Sequence, residues 1–312
     1  MKICIVGLGS IGKRHLDNLR VVLERRKLDY QIDALRSKQA VLEEKCHHAI
    51  CRQYYCVDEM PDDYDAVFIT NPTSLHFVTV QAMLDKTKHM FIEKPVFASV
   101  KHDFSALKFR EYGIYYVACP LRHKSIMEYV RREIVGKQQM ISARILSTSY
   151  LPAWRKNRDY RRLYSAKQDM GGGVTRDLIH EWDYAIYLFG IPEKVYHMQG
   201  HFSSLEIDSD DISVYVAKYP KMILEIHLDY IGQKTERILE IFTNECRINI
   251  DLISNTIHTY ENNRLVRSLE FPHEDFYIRE MEYFFDCIEK KQVNMNTVAD
   301  AYRTLQIALT KE

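Results

Sequence analysis

The chain opens on KICIVGLGSIG, residues 2–12, and no other stretch constrains the fold as tightly. A short apolar run of strand length leads into three glycines at GxGxxG spacing. The next residues, KRHLDNLRVVLERR, place Leu16, Leu19, Val22 and Leu23 at helical intervals. Strand, glycine turn and helix in that order predict the first βα step of a dinucleotide-binding domain. Gly7 permits the tight turn, Gly9 lets the backbone approach a pyrophosphate, and Gly12 lets the helix pack on the strand. The helix N-terminus, at Ser10 and Ile11, offers N–H groups and positive dipole charge to phosphates. Arg14 and His15 are expected on the helix surface.

The alternation continues. YQIDAL, DAVFIT (65–70), HMFIE (89–93) and IYYVAC read as strands, and SLHFVTVQAMLDKT and HDFSALKFREYG as helices, the second capped at Gly113. Strands apolar on both sides imply a parallel sheet with covered faces. After Pro120 the style changes. One helix, SIMEYVRREIVG, leads into MISARILSTSY, DISVYVAKY, KMILEIHLDY, RILEIFTN, CRINIDL and TIHTYEN, which alternate as antiparallel strands do, with hairpins at YPKM and ENNR. The helix RDLIHEWDYAIYLFG interrupts them early, and helices near 274–290 and 297–310 end the chain. The expected fold is α/β: an N-terminal Rossmann domain with a parallel sheet over residues 1–120, and a C-terminal α/β domain over 121–312. That second domain carries a large, mostly antiparallel open sheet for substrate binding and oligomerisation, and its C-terminal helix is free to pack back on the first.

A length of 312 residues suits two domains. Lys plus Arg equals Asp plus Glu, 43 each, which argues against a nucleic-acid or anionic-membrane partner. No apolar run is long enough to span a membrane, and the N-terminal run lacks the length and cleavage site of a signal peptide. Seven scattered cysteines, an odd number, suit reduced thiols in the cytoplasm. The cluster CHHAICRQYYC (Cys46 to Cys56) has no CxxC pair and no second half. It reads as a helix end and a following strand that use Cys as a small apolar residue, and no metal is expected.

Strand two ends in DALRSKQ. A carboxylate there would bind the ribose 2′-hydroxyl of NAD. The position instead falls on Arg36, followed by Ser37 and Lys38, and a guanidinium there can receive a 2′-phosphate. The reading is NADP over NAD, with Asp33, three residues earlier, keeping NAD open. A second oddity is FIEKPVFAS, where Lys94 stands at the end of an apolar strand. Pro95 holds it off helical backbone angles, and a charge so placed needs a partner or a task.

GLGSIGKRH, ITNPTSLH, EKP and GGGVTRDLIHEWDYAIYLFG, in this order and spacing, resemble the Gfo/Idh/MocA (glucose–fructose oxidoreductase, inositol dehydrogenase) family. The resemblance implies NAD(P)-dependent oxidation or reduction at a carbinol carbon of a sugar, cyclitol or nucleotide sugar. YLPAWRKNRDYRRLYSA (150–166) resembles the branch linked to bacterial surface-polysaccharide and nonulosonic-acid pathways. The resemblance puts Lys94 beside the nicotinamide and the reacting carbon, with the Lys94–Pro95 peptide bond that follows it often cis. It puts Thr70, Asn71, Pro72 and His76 on the cofactor side, with Glu93 fixing the loop or the ribose. Asp177 and His180, three apart on one helix face, complete the catalytic set, where the commoner spacing is four. In this reading Lys94 and His180 share the proton transfer, with His180 as base, the two roles being exchangeable, while Asp177 orients the site. Arg122, His123, Trp154, Arg155, Tyr160 and Arg176 are candidate substrate contacts. Face-to-face packing of the second sheet into a homodimer or homotetramer is also implied. Two other readings stay open: a dinucleotide-binding sensor or scaffold without catalysis, and an enzyme using tightly held NAD for a redox-neutral sugar reaction.

Overall fold

The computed structural model describes residues 1–37, 44–155 and 158–310, so Lys38 lies outside the described residues. In chain order the first elements are β1 (Lys2–Val6), α1 (Ser10–Arg25), β2 (Gln31–Leu35), α2 (Glu44–Ala49), β3 (Arg52–Tyr54), β4 (Tyr64–Ile69), α3 (His76–Met83), β5 (Thr87–Ile92) and β6 (Tyr115–Val117). Then come α4 (Ser125–Tyr129), β7 (Ser142–Tyr150), α5 (Val174–Asp177), α6 (His180–Phe189), β8 (Lys194–Gly200), β9 (Ile212–Lys218) and β10 (Ile223–Asp229). The last are β11 (Ile231–Phe242), β12 (Arg247–Asp251), β13 (Thr256–Glu261), β14 (Arg264–Glu270), α7 (Phe276–Ile288) and α8 (Val298–Ala308). They form two compact units. The first comprises Met1–Ala118 and Asp275–Arg303, the second Cys119–Glu274 and Thr304–Glu312.

In the first unit six parallel strands lie in the order β3-β2-β1-β4-β5-β6, a Rossmann sheet. β1, β4 and the second half of β5, Met90–Ile92, are mostly apolar because both faces of the sheet are covered. α1 buries Gly12, His15, Leu16, Leu19, Val22 and Leu23, the i, i+3, i+4 stripe. His15 is therefore not on the surface. It stands one turn after Gly12 and one turn before Leu19, on the face that meets the sheet. α7 belongs to the same unit. Asp275 caps it through Tyr277 and Ile278 N–H, and Phe284 packs edge-on to Phe68 and Phe91 at 5.7 and 5.5 Å. Arg26, at the end of α1, reaches Glu282, Asp286 and Glu289 on α7 at 2.7 to 2.8 Å.

The expected helix at HDFSALKFREYG is absent. Asp103 caps a single 3₁₀ turn, Phe104–Ala106, and the chain then runs on extended. Phe104 stacks on Tyr302 at 5.1 Å and Phe109 packs on Tyr115 at 4.7 Å. A helix would set those two rings about 140° apart and lose one of the contacts. Gly113 caps nothing. A Cβ there would lie 2.4 Å from the Tyr115 ring, so the glycine serves a close approach.

The second unit holds an eight-stranded sheet ordered β14-β13-β12-β11-β7-β10-β9-β8. Every pairing is antiparallel except β7 with β10. β8 and β14, its two edges, are not visible in the alternation of the sequence. Asn262 and Asn263, both with positive φ, close the β13–β14 hairpin as a two-residue turn. The inner face carries Ala143, Ile145, Leu224 and Ile226, with Trp182 of α6 edge-on to Tyr215 at 5.1 Å. The other face presents Tyr196, Met198 and Val216, with Met198 75% exposed. The helix predicted over RDLIHEWDYAIYLFG breaks at Leu178 into α5 and α6, so Asp177 ends one helix and His180 begins the next. Among the described residues no helix is long and apolar enough to cross a membrane.

Candidate functional site

The glycine loop follows β1 at the carboxyl end of the first sheet, where open parallel sheets bind ligands. Gly7 has φ +90°, and a Cβ there would sit 2.8 Å from the Asn71 Cα. Gly12 is tighter still: a Cβ would meet the Gly7 carbonyl at 2.1 Å and Thr70 Oγ1 at 2.7 Å. Thr70 locks the turn from β4 by donating to the Val6 and Gly7 carbonyls at 3.0 and 2.6 Å. Gly9 differs, since a Cβ on it would meet nothing within 4 Å. The glycine borders open space directly ahead of α1, whose first turn at Ser10 and Ile11 no side chain caps. That is a cradle of the kind a pyrophosphate fits.

Arg36 and Ser37 come next after β2. Arg36 Nη1 donates to Gln53 Oε1 of β3 at 2.6 Å, and its backbone N–H donates to the Tyr54 carbonyl. Asp33 is fully buried in mid-strand, where its carboxylate accepts from Tyr64 Oη at 2.9 Å and Gln31 Nε2 at 3.0 Å. It is an internal acid and does not stand at the strand end.

Past β4 and β5 the structure ties the two remaining loops together. His76 is buried, with Nε2 3.0 Å from the Asn71 carbonyl and Nδ1 2.9 and 3.2 Å from those of Pro95 and Val96. Burial pulls its pKa down, and the carbonyls around both ring nitrogens pull it up. It staples the Asn71–Pro72 turn to the Lys94–Pro95 turn, whose peptide bond is cis. Glu93 is the other support of Lys94. One carboxylate oxygen accepts the Lys94 backbone N–H at 3.1 Å, and the other lies 2.5 Å from His15 Nε2. Burial alone would raise the Glu93 pKa, but the His15 contact and the Lys94 charge outweigh it and hold the carboxyl low. His15 is the residue that sequence reasoning misplaced. Its signal was available in its register with Gly12 and Leu19.

In the second unit Asp177 is buried. It accepts hydrogen bonds from the phenols of Tyr164 and Tyr230, the latter at 2.5 Å. Burial and the Asp177 charge push the Tyr230 phenol pKa up, so Tyr230 stays a donor. Trp154 packs edge-on to Tyr230 at 5.2 Å and donates to Ser149 Oγ, which brings the predicted Trp154 and Asp177 into one cluster. Tyr164 and Tyr230 were not anticipated. His180 Nε2 lies 2.6 Å from Arg237 Nη2 and 3.3 Å from Glu181 Oε1.

Other predicted contacts have structural partners. Arg122 is buried and clamps Asp183 through Nε and Nη2 at 2.9 and 2.7 Å, a bidentate internal brace. His123 is buried beside it in the chain. The Tyr160 hydroxyl accepts the Glu206 N–H, Arg176 donates to the Gly172 carbonyl, and Arg155 is exposed. The Cys46–Cys56 segment forms α2 and β3 as expected, with Cys46 buried and Cys51 and Cys56 exposed.

Residues 1–109 match the oxidoreductase family model described as an NAD-binding Rossmann fold, Gfo/Idh/MocA. An uncharacterized oxidoreductase of Bacillus subtilis (strain 168) is 30% identical over 194 residues, 60% of this chain and 53% of that protein, so the match spans about half the relative's length. UDP-N-acetylglucosamine 3-dehydrogenase of Acidithiobacillus ferrooxidans is 21% identical over 83% of this chain and 77% of its own. Its solved structure covers 99% of this chain and 95% of that one, with a TM-score of 0.78 at 18% identity. Levoglucosan dehydrogenase, solved with NADH and levoglucosan, covers 99% and 95% with a TM-score of 0.80 at 16% identity. Over residues 1–109 the chain thus matches the Gfo/Idh/MocA oxidoreductase family model, and as a whole it shares the fold of these solved dehydrogenases.

Proposed function

We propose that the protein is an NAD(P)-dependent oxidoreductase acting at a carbinol or carbonyl carbon of a sugar, in particular a nucleotide sugar or acidic sugar. The observation that carries this reading is the set of supports gathered behind Lys94. His76, Glu93 and His15 fix the turn that holds it, at the same sheet end as the glycine cradle. A buried acid, a buried staple and a fully buried imidazole behind one lysine suit a group that must stand within ångströms of a reacting atom. A nucleotide sugar is favoured because UDP-N-acetylglucosamine 3-dehydrogenase stands among both the sequence relatives and the structural neighbours.

Gly7, Gly9, Ser10, Ile11 and Gly12 would hold the pyrophosphate, and Thr70, Asn71 and Pro72 would line the cofactor from the next loop. Arg36 would meet a 2′-phosphate, and the burial of Asp33 removes the nearest acid that could prefer a 2′-hydroxyl; both support NADP over NAD. The nicotinamide supplies or takes the hydride. Lys94 and His180 handle the proton of the reacting oxygen, with Asp177, held by two phenols, orienting the substrate. The exposed apolar sheet face of the second unit supports a homodimer or homotetramer.

The test is a screen of nucleotide sugars and acidic sugars with NADP⁺ and NADPH at the nicotinamide absorbance, with Lys94→Ala beside the native protein. Lys94→Ala keeps cofactor affinity near normal and lowers turnover by two to three orders of magnitude, about 3–4 kcal/mol. Lys94→Arg does not rescue it, because a planar guanidinium does not replace a compact ammonium. Turnover near the native rate in Lys94→Ala would overturn the assignment.

A further inference from the structure

His180, Glu181 and Arg237 form a closed contact whose donors and acceptors do not leave His180 as an ordinary base. Arg237 Nη2 lies 2.6 Å from His180 Nε2. A guanidinium has only N–H donors and no acceptor. At that distance the imidazole nitrogen must be the acceptor, so the one ring proton of a neutral His180 sits on Nδ1.

Glu181 supplies the second observation. It is fully buried, 3.3 Å from the same His180 nitrogen and 2.8 Å from Arg237 Nε. The Arg237 Nε–H is not aimed at the carboxylate, and neither Glu181 oxygen has a well-aligned donor, so the pair is held by charge. Burial pushes the Glu181 carboxyl pKa up, but Arg237 first, then His180 and Tyr184, outweigh this and hold it at about 2. A buried anion with acceptor capacity in reserve thus stands next to His180 Nε2. It would take a proton from that nitrogen if Arg237 did not cover it. The other titratable groups on this contact are Tyr184, whose hydroxyl faces Glu181, and Lys124, which feels the charge of Arg237.

Building on the reading that His180 belongs to the proton-transfer pair, we propose that Arg237 and Glu181 are positioning residues that fix His180 as its neutral Nδ1–H tautomer. Arg237 occupies the Nε2 lone pair, and while the contact is closed that nitrogen takes no proton from the substrate. The exchangeable roles within the pair are thereby decided. In reduction the Lys94 ammonium gives its proton to the forming alkoxide oxygen, and His180 keeps its own.

The experiment is histidine-selective ¹⁵N labelling of the full chain above neutral pH, with the His180 resonances assigned by their loss in His180→Gln. The expected spectrum has Nδ1 in the protonated and Nε2 in the unprotonated shift range. Arg237→Met moves the proton to Nε2, against Glu181, and the two nitrogens exchange shift ranges. Arg237→Lys, which keeps a cationic donor, retains the native pattern. An Nε2–H tautomer in the native protein, or an unchanged tautomer in folded Arg237→Met, would overturn the proposal. If Arg237→Met does not fold, the native and Arg237→Lys spectra decide. No turnover is needed, so a wrong substrate class or an inactive protein leaves the tautomer result readable, and a native Nδ1–H pattern stands even if the oxidoreductase reading fails.

Discussion

His15→Phe removes the buried partner of the Glu93 carboxylate beneath Lys94 and keeps the ring volume. His15 is fully buried, its ring 5.0 Å from that of Phe91, so a phenyl group fits the apolar surroundings. Glu93, whose side chain is 10% exposed, would keep one backbone N–H as partner and lose the contact at 2.5 Å. A buried charge stripped of its partner costs about 3–5 kcal/mol. Glu93→Gln, which removes the charge and leaves an amide able to meet the imidazole, costs about 1–2 kcal/mol. The double variant should be more stable than His15→Phe alone, because the stranded charge is gone. The pH dependence has a definite sign. The native Glu93 pKa lies below its unfolded value, so its contribution is present above the unfolded pKa and is lost as pH falls through the folded one. In His15→Phe burial acts without the histidine to oppose it, so the deficit shrinks on acidification as Glu93 takes up a proton. Tryptophan fluorescence does not report on this, since Trp154 and Trp182 both lie in the second unit. Native-state hydrogen exchange of the β1, β4 and β5 amides does. A loss below about 1 kcal/mol in those amides, or a double variant weaker than His15→Phe, would refute His15 as the support of the buried Glu93 charge.

Gly12→Ala disrupts the turn by meeting the Gly7 carbonyl, while Gly9→Val leaves the fold intact and blocks the cofactor; circular dichroism with NADPH titration separates the two, and normal affinity in Gly9→Val would contradict the cradle. Arg36→Asp weakens NADPH relative to NADH through repulsion of the 2′-phosphate, and an unchanged ratio of affinities would remove Arg36 as the discriminating residue. Met198→Lys with Val216→Lys places charge on the exposed face of the second sheet and lowers the mass in light scattering at micromolar concentration; a native protein that is already a monomer would refute the assembly.

The parallel sheet was legible because its central strands are mostly apolar and the loops after β1, β4 and β5 begin on a glycine, a threonine and the Glu93–Lys94 pair. The large antiparallel sheet was legible where one face is buried and the pattern alternates, as in β9 and β10. β14 escaped because an edge strand exposed on both sides has no alternation to read. HDFSALKFREYG has helical composition, yet its aromatic rings find partners far along the chain, such as Tyr302, and tertiary packing decided against the helix. The supports of the site were invisible for the same reason. His15 with Glu93, Tyr230 with Asp177 and Arg237 with His180 are contacts across 53 to 78 residues, and local pattern holds no record of them.

β7 is the first strand of its sheet to leave the ribosome and the one that both halves of that sheet need. It pairs with β11 on one side and, in parallel, with β10 on the other, where Ile145 meets Ile226 roughly eighty residues later. The meanders β8-β9-β10 and β11 to β14 can each zip from their own turns, but neither can supply the central seam. During synthesis β7 therefore waits with two open edges and an apolar stripe of Ala143 and Ile145. Nascent chains stalled before residue 223 would hold that strand unpaired against β10, which makes this interval the stage of biogenesis most exposed to aggregation and most dependent on chaperone cover.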